Sequence, residues 1–369
     1  MPLRASYFKK VFQFNFKART SRGLMKDKTS WFIKLWHEGD PEVYGIGECG
    51  PLPGLSIDSR PDYEEQLISV IDRLNQSSFK DPLQEELRQI VPPGLPSLVF
   101  GLETAALDLH HRGQRIIFNN EFLKGQKIPI NGLIWMGDMD FMMGQISIKI
   151  SEGFRCIKMK VGGLDFDREC DVLNYIRKRY FRENITIRLD ANGAFKIDDV
   201  LYKLEQLSRY TIHSIEQPIK ANLNEMEELC RKSPIAVALD EELIGKETYD
   251  EKTDLLRRLK PRYIVLKPML HGGFKGCEEW IAIAEKLSIG WWITSSLESS
   301  SGLNAICQFT ANYKTDLHQG LGTGRIYDNN FDSPLEVRDG YIYQNPKVVW
   351  NLEPDDQGSN PFVEQTPLW

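Results

Sequence analysis

The chain has 369 residues, 41% hydrophobic and 27% charged, with a net charge of −6; that is ordinary globular composition, and a length for two domains or one large barrel with an attached part. The basic residues are scattered, which removes the electrostatic footprint of a nucleic-acid binder, and no window approaches the roughly 20 apolar residues of a membrane span. Six widely spaced cysteines without a CxxC pair favour reduced thiols in a cytoplasm over a disulfide framework or a structural zinc site. Arg4, Lys9 and Lys10 break up the first ten residues, so no secretory signal is expected there.

In chain order, residues 6–17 and 29–37 alternate and are rich in aromatics, predicting two antiparallel strands; a third is predicted over 43–48. The polar stretch 17–28 between the first two reads as a connection too long for a tight hairpin, and 49–54 is a Gly/Pro loop. Helices are predicted over 62–75, 83–90 and 98–111, the last with Val99, Leu102, Ala105, Ala106 and Leu109 at helical spacing. Residues 1–125 therefore read as an α+β unit.

Beyond Lys127 the pattern changes. Strand-like runs alternate with helical stretches, the first over 128–134 and an eighth near 316–320. The six between them end in polar residues at Lys160, Asp190, Glu216, Asp240, Lys267 and Ser295, a repeat of roughly 24–30 residues. One strand, one helix and two loops fill such a repeat, and eight of them close into a (β/α)8 barrel over 126–325. Residues 326–369 are expected to pack back on the N-terminal unit.

Chemistry in such a barrel belongs at the C-terminal ends of the strands. A single acid there would read as a helix cap or a solvated residue. Asp190, Glu216 and Asp240 in consecutive units would repel one another unless a cation lay between them, and all-oxygen donors suit magnesium, with manganese as a substitute. In the run 236–240, Ala236, Ala238 and Asp240 share one face, small side chains leading to a carboxylate in a crowded interior. Lys158 and Lys160 share a strand face before the acids, and Lys267 ends the run 263–267 after them. A like charge beside it, a nearby dication and partial desolvation would each bring Lys160 down from the ordinary lysine value of about 10.4 towards a useful base. Metal and base together predict removal of a proton next to a substrate carboxylate, with the cation stabilising the enediolate.

Lys158-Met159-Lys160, Arg188-Leu189-Asp190-Ala191-Asn192, Ile215-Glu216-Gln217-Pro218, Leu239-Asp240-Glu241 and Leu266-Lys267-Pro268 together resemble the enolase superfamily, in its muconate-lactonizing-enzyme subgroup. The resemblance covers nearly the whole chain and implies a modified barrel beneath an N-terminal α+β capping domain. It makes 47–54 a loop that closes over substrate and 17–28 a second, mobile capping loop. The Ser-Ser-Leu-Glu-Ser run at 295–299 and Gly-Leu-Gly at 320–322 are most similar to the o-succinylbenzoate synthase branch, which dehydrates a cyclohexadiene carboxylate in menaquinone biosynthesis.

That resemblance implies that Asp190, Glu216 and Asp240 hold Mg2+. Lys160 would take the alpha proton and then help hydroxide leave as water, Lys267 would face the enediolate as a cation, and Lys158 would keep the Lys160 pKa low. Asn192 and Glu241 would orient ligands, and Ser296 and the backbone of Gly320 would meet the succinyl end of a small carboxylate substrate. His213 reads as packed and His271 as a loop residue. N-acylamino acid racemase or dipeptide epimerase chemistry is the alternative, since both lysines are present. Against an epimerase, Asp316-Leu317-His318 carries one acid where those enzymes have an Asp-x-Asp pair. A non-catalytic binding barrel would need no such set of polar strand ends, and nothing in the sequence specifies an oligomer.

Overall fold

A computed structural model describes residues 1–20 and 23–350, and the backbone alone at residues 17, 19 and 20. Strands β1 (Leu3–Thr20), β2 (Gly23–His37) and β3 (Asp40–Cys49) form an antiparallel sheet in that order. Both faces of this sheet are apolar. Leu3, Ala5, Ile33 and Leu35 pack on helices α1 (Tyr63–Gln76) and α3 (Pro96–His110), while Phe12, Phe14, Phe32 and Ile46 join Trp135, Leu297 and Tyr327 on the other side. Alternating strands can present two such faces, and here one holds the helices and the other the barrel. The expected connection over 17–28 is instead mostly strand: β1 and β2 stay paired through Ala18–Met25, Arg19–Leu24 and Thr20–Gly23, past an irregularity between Gln13 and Ala18. A long ribbon satisfies its backbone groups internally, so polar side chains do not stop it; its tip at 21–22 lies outside the described residues. The helix expected over 83–90 shrinks to α2 (Glu86–Gln89), because the Asp81 carboxylate accepts from Leu83 N and holds a turn there.

The barrel follows. Strand β4 (Ile128–Pro129) is separate from the barrel sheet, whose parallel strands are β5 (Gly132–Ile134), β6 (Cys156–Lys160), β7 (Thr186–Asp190), β8 (Ser214–Glu216), β9 (Val237–Leu239), β10 (Tyr263–Leu266) and β11 (Gly290–Ile293), each beside the next. Helices α4 (Met139–Ser151), α5 (Phe166–Arg179), α6 (Ile197–Ser208), α7 (Leu223–Lys232), α8 (Tyr249–Leu259) and α9 (Gly273–Lys286) alternate with them, and α10 (Ser300–Thr310) follows β11. Ile157, Met159, Ile187, Leu189 and Ile215 point outward into the helix layer, which turns the intervening residues of the same strands inward.

Two strand assignments change. The run 128–134 is not one strand: the N–H of Ile130 goes to Gly340 O and that of Asn131 to Gln319 O, so the chain crosses between sheets there. The eighth strand is reduced to single parallel bridges from Gln319 to Ile130 and from Gly320 to Thr294, which close the ring between β5 and β11. Gln319 completes the closure with its side chain, accepting from Ile293 N and donating to Leu317 O.

The segment after residue 325 divides its contacts. Tyr327 and Phe331 pack against Phe12 of the cap sheet, the latter edge to face. The hairpin β12 (Leu335–Arg338) and β13 (Tyr341–Gln344) instead pairs with β4 and contributes Ile342 to the barrel core. Among the described residues the contact with the cap comes from the first part of that segment, because the apolar face of the hairpin matches the barrel end; residues 351–369 lie outside the described residues. Among the described residues, no helix is long and apolar enough to cross a membrane.

Candidate active site

Parallel pairing sets the level of each functional group. Lys160 is in register with Asp190, and Asp190 with Glu216, so three charged residues end neighbouring strands side by side. Glu216 pairs with Ala238, which puts Asp240 just beyond β9, and Lys267 follows β10 directly. Beneath them the interior is filled by the Arg188 guanidinium, 3.9 Å from the centre of the Trp292 ring, with Ala238 and Val265 packed on the same indole. The small alanine predicted at this level makes room for that stack. His213 stacks on Tyr263 with ring centres 4.9 Å apart, a partly buried, packed position. His271 sits in the turn after β10, where its Nδ1 accepts from Lys267 N at 2.9 Å.

At the mouth, ammonium and carboxylate groups interleave. Lys158 Nζ donates to both oxygens of Glu216 at 2.7 Å and lies 2.8 Å from Asp190 Oδ2. Lys160 Nζ donates to Asp190 Oδ2 at 2.5 Å and to Asn192 Oδ1 at 2.6 Å. Lys267 is paired with Asp240. Asn192 also donates from its side chain to Glu241 Oε1 at 3.0 Å. Gln217, which sequence reasoning did not single out, accepts from the N–H groups of Asp240 and Glu242 and so fixes the turn that presents Asp240.

The titration behaviour follows from these neighbours. Burial brings the Lys160 ammonium below the ordinary lysine value, and the charge of Lys158 adds to that against the pull of Asp190. Burial also works against the Lys158 ammonium, but Asp190, Glu216 and Asp240 together outweigh it and raise its pKa. Burial pushes Glu216 up to about 8, with the Asp190 charge adding to it. Asp190 is held low, since Lys158 and Lys160 overcome the cost of its burial.

These groups floor a cavity of about 390 Å3. Its roof comes from the cap: Gly23, Leu24 and Met25 of the β1–β2 ribbon, and Leu52 to Leu55 of the Gly/Pro loop. Thr294, Ser295, Ser296 and Leu297 form one wall, and Leu133 and Trp135 another. Sequence analysis missed Leu133 and Trp135; their position at the end of the first barrel strand was the signal, obscured by the break at Asn131. Ser296 Oγ is buried with no partner at the cavity edge. Gly320 lines the cavity, but its N–H donates to Ile293 O and its carbonyl accepts from Ser295 N and Thr294 Oγ1. Its backbone N–H and carbonyl are thus already partnered within the barrel.

The donor set can be tested against a hard dication. Three carboxylates from adjacent strands supply oxygen ligands only, and Asp240 Oδ1 is buried without a partner, so the chemistry fits magnesium. Among the described residues the carboxylates do not yet converge on one point, because ammonium groups lie on Asp190 Oδ2, on both oxygens of Glu216 and on Asp240 Oδ2. A cation here would take over from ammonium groups that already neutralise the acids.

Comparison with known proteins agrees with this geometry. Residues 145–350 match the family described as Enolase C-terminal domain-like. An o-succinylbenzoate synthase from Desulfotalea psychrophila is 40% identical over 366 residues, covering 92% of this chain and 98% of that one. The chain belongs to the o-succinylbenzoate synthase family of the enolase superfamily. The crystal structure of MenC from Desulfotalea psychrophila superposes with a TM-score of 0.82 at 37% identity, over 93% of this chain and 100% of that one. The L-Ala-D/L-Glu epimerase from Bacillus subtilis reaches a TM-score of 0.81 at 18% identity, over 93% and 96% of the two chains, and shares the fold.

Proposed function

We propose that this chain is an o-succinylbenzoate synthase, a hydro-lyase that converts 2-succinyl-6-hydroxy-2,4-cyclohexadiene-1-carboxylate to o-succinylbenzoate and water in menaquinone biosynthesis. The observation that carries the reading is 40% identity to an o-succinylbenzoate synthase along nearly the full length of both chains. Asp190, Glu216 and Asp240 would hold Mg2+, with Mn2+ as a substitute. When bound, the ion supplies Lewis-acid stabilisation of negative charge as it develops on the substrate carboxylate.

Lys160 is the acid/base. Its Nζ, lowered by burial and by Lys158, takes the proton on the ring carbon that bears the carboxylate. The same nitrogen, now an ammonium, returns that proton to the hydroxyl leaving the neighbouring ring carbon, so water departs and the ring becomes aromatic. Lys158 stays charged because three carboxylates surround it, and its field holds Lys160 low. Lys267 presents a second ammonium to the growing negative charge. Asn192 Oδ1 accepts from Lys160 Nζ at 2.6 Å, and its amide donates to Glu241 Oε1 at 3.0 Å, so Glu241 holds Asn192 and Asn192 orients Lys160. The roof residues Leu24, Met25 and Leu52 exclude water from the apolar ring, and Ser296 offers a polar partner to the succinyl arm. A cytoplasmic location belongs to the same reading, supported by six cysteines that are all free thiols.

Turnover of the cyclohexadiene carboxylate, followed by the rise of aromatic absorbance with and without chelator, tests the proposal; no turnover in magnesium would overturn it. The second reading, racemisation of an N-acylamino acid, is favoured by one observation, that Lys160 and Lys267 reach the same cavity from β6 and β10. Uptake of deuterium at the alpha carbon of such a substrate would show it.

A further inference from the structure

Behind the cavity wall lies a second buried polar cluster that the proposed reaction does not use. Its centre is Glu48, which is fully buried at the end of β3. Glu48 Oε2 accepts from Ser299 Oγ at 2.6 Å, Ser299 N at 3.0 Å and Gly302 N at 3.1 Å; Oε1 accepts from Ser30 Oγ at 2.8 Å. A carboxylate from the cap thus satisfies the first N–H groups of the barrel helix α10, the end where a negative charge is most favourable. Lys28, also buried, places its ammonium 3.7 Å from Glu48 Oε1 and 3.4 Å from Ser30 Oγ. Glu298, next in chain to Ser299, accepts from Ser296 N at 2.7 Å. Two glycines make the approach possible. A Cβ on Gly302 would come within 2.7 Å of Glu48 Oε2, and one on Gly50 within 2.5 Å of Lys28 Nζ.

The cluster joins three segments that line the cavity: the two roof segments of the cap and the 294–297 wall. Lys28 lies three residues beyond Met25, Gly50 two residues before Leu52, and Ser299 three residues beyond Ser296. We propose that Glu48 is a positioning residue: it locks the two roof segments of the cap and the 294–297 wall into one rigid unit, so that the roof seats only against a correctly placed wall. This role rests on the dehydratase reading for its kinetic consequence but not for its structural one. A group that shapes the cavity without touching the reacting atoms should govern substrate capture more than the chemical step.

The test compares the full-length protein with Glu48→Gln, which keeps shape and removes the charge. Hydrogen exchange without substrate should speed up at residues 50–55 and 296–302 together. KM for the cyclohexadiene carboxylate should rise about tenfold, the loss of hydrogen bonds to a charged acceptor, with kcat within about threefold of the parent. Unchanged exchange in either segment, unchanged KM, or a fall in kcat alone overturns the proposal. Should Glu48→Gln fail to fold, Ser299→Ala decides: it removes one hydroxyl donor and keeps the carboxylate, and is expected to raise KM about threefold, whereas an unaltered KM and unaltered exchange at 296–302 count against the lock. If the parent protein does not turn over the substrate, the dehydratase reading fails, and the exchange data alone still decide the lock.

Discussion

Two buried polar regions border the cavity, one on its floor and one behind its wall, and they neutralise charge in opposite ways. On the cavity floor Asp190, Glu216 and Asp240 are matched by the side-chain ammonium groups of Lys158, Lys160 and Lys267. At the seam between cap and barrel, Glu48 is matched mainly by backbone N–H groups and hydroxyls of elements that cannot move away. Both arrangements meet the rule that a buried charge needs partners. The floor, however, uses partners on long flexible stems, which can be exchanged for a cation or a substrate. The seam uses partners fixed in secondary structure. Reactivity and rigidity are thus separated by the kind of donor, not by the kind of acid.

The sharpest way to break that contrast is to remove an exchangeable partner that is also the proposed base. Lys160→Ala should lower kcat by about 10^3- to 10^4-fold while the protein still binds magnesium; a rate near that of the parent would sink the acid/base assignment. Lys158→Met comes next. It strands Glu216 and Asp190 beside one another, and stability without metal should fall by about 3–5 kcal/mol. Because a dication can replace the missing ammonium, saturating magnesium should recover more stability in this variant than in the parent, measured by denaturant unfolding in matched buffers with and without chelator. Equal metal effects in the two proteins would contradict the idea that ammonium and dication compete for the same oxygens.

A smaller effect sharpens the seam. Burial, aided by the Glu48 charge, pushes Glu298 up to about 7 from an ordinary glutamate value of 4.5. The folded protein therefore holds a proton that the unfolded chain has lost between those two values, so stability declines as pH rises across that window and levels off above it. Glu298→Gln should leave the melting temperature near pH 4.5 almost unchanged, remove the decline, and be the more stable protein at pH 8 by a few kcal/mol at most. A parallel pH profile for variant and parent would show that Glu298 remains ionised in the fold.

The same contrast explains what could be read in the chain beforehand. Lys160, Asp190, Glu216, Asp240 and Lys267 stood out because each interrupts an apolar run at a regular interval, and parallel pairing then brings them to one level. The pairing across the seam was illegible: Glu48 and Ser299 lie in runs that the resemblance singled out, but they are 251 residues apart and nothing local links them. The β1–β2 ribbon was misread since polar composition signals a loop only where the backbone has no partner, and here it has one through Thr20–Gly23. The first barrel strand was read too long because Ile128 to Ile134 is mostly apolar, while the backbone changes sheets at Ile130. Trp135 and Leu133 were overlooked for the same reason: without the true strand end, their place on the cavity wall had no marker.

The closure of the ring at Gln319 has its own consequence for how this chain tolerates change. One residue, with its backbone bonded to Pro129 O and Asn131 N and its amide to Ile293 and Leu317, does the work of a missing strand. Tyr313 still packs on Trp291 and Phe309, so the tolerant point is the exposed Lys314 just beyond it. A single inserted residue between Leu317 and Gly320 would put the amide out of reach of Ile293 and the backbone out of step with Thr294, unzipping both edges of the barrel at once. The permissible site for a graft or a tag on this face therefore ends abruptly, within a few residues, at a glutamine.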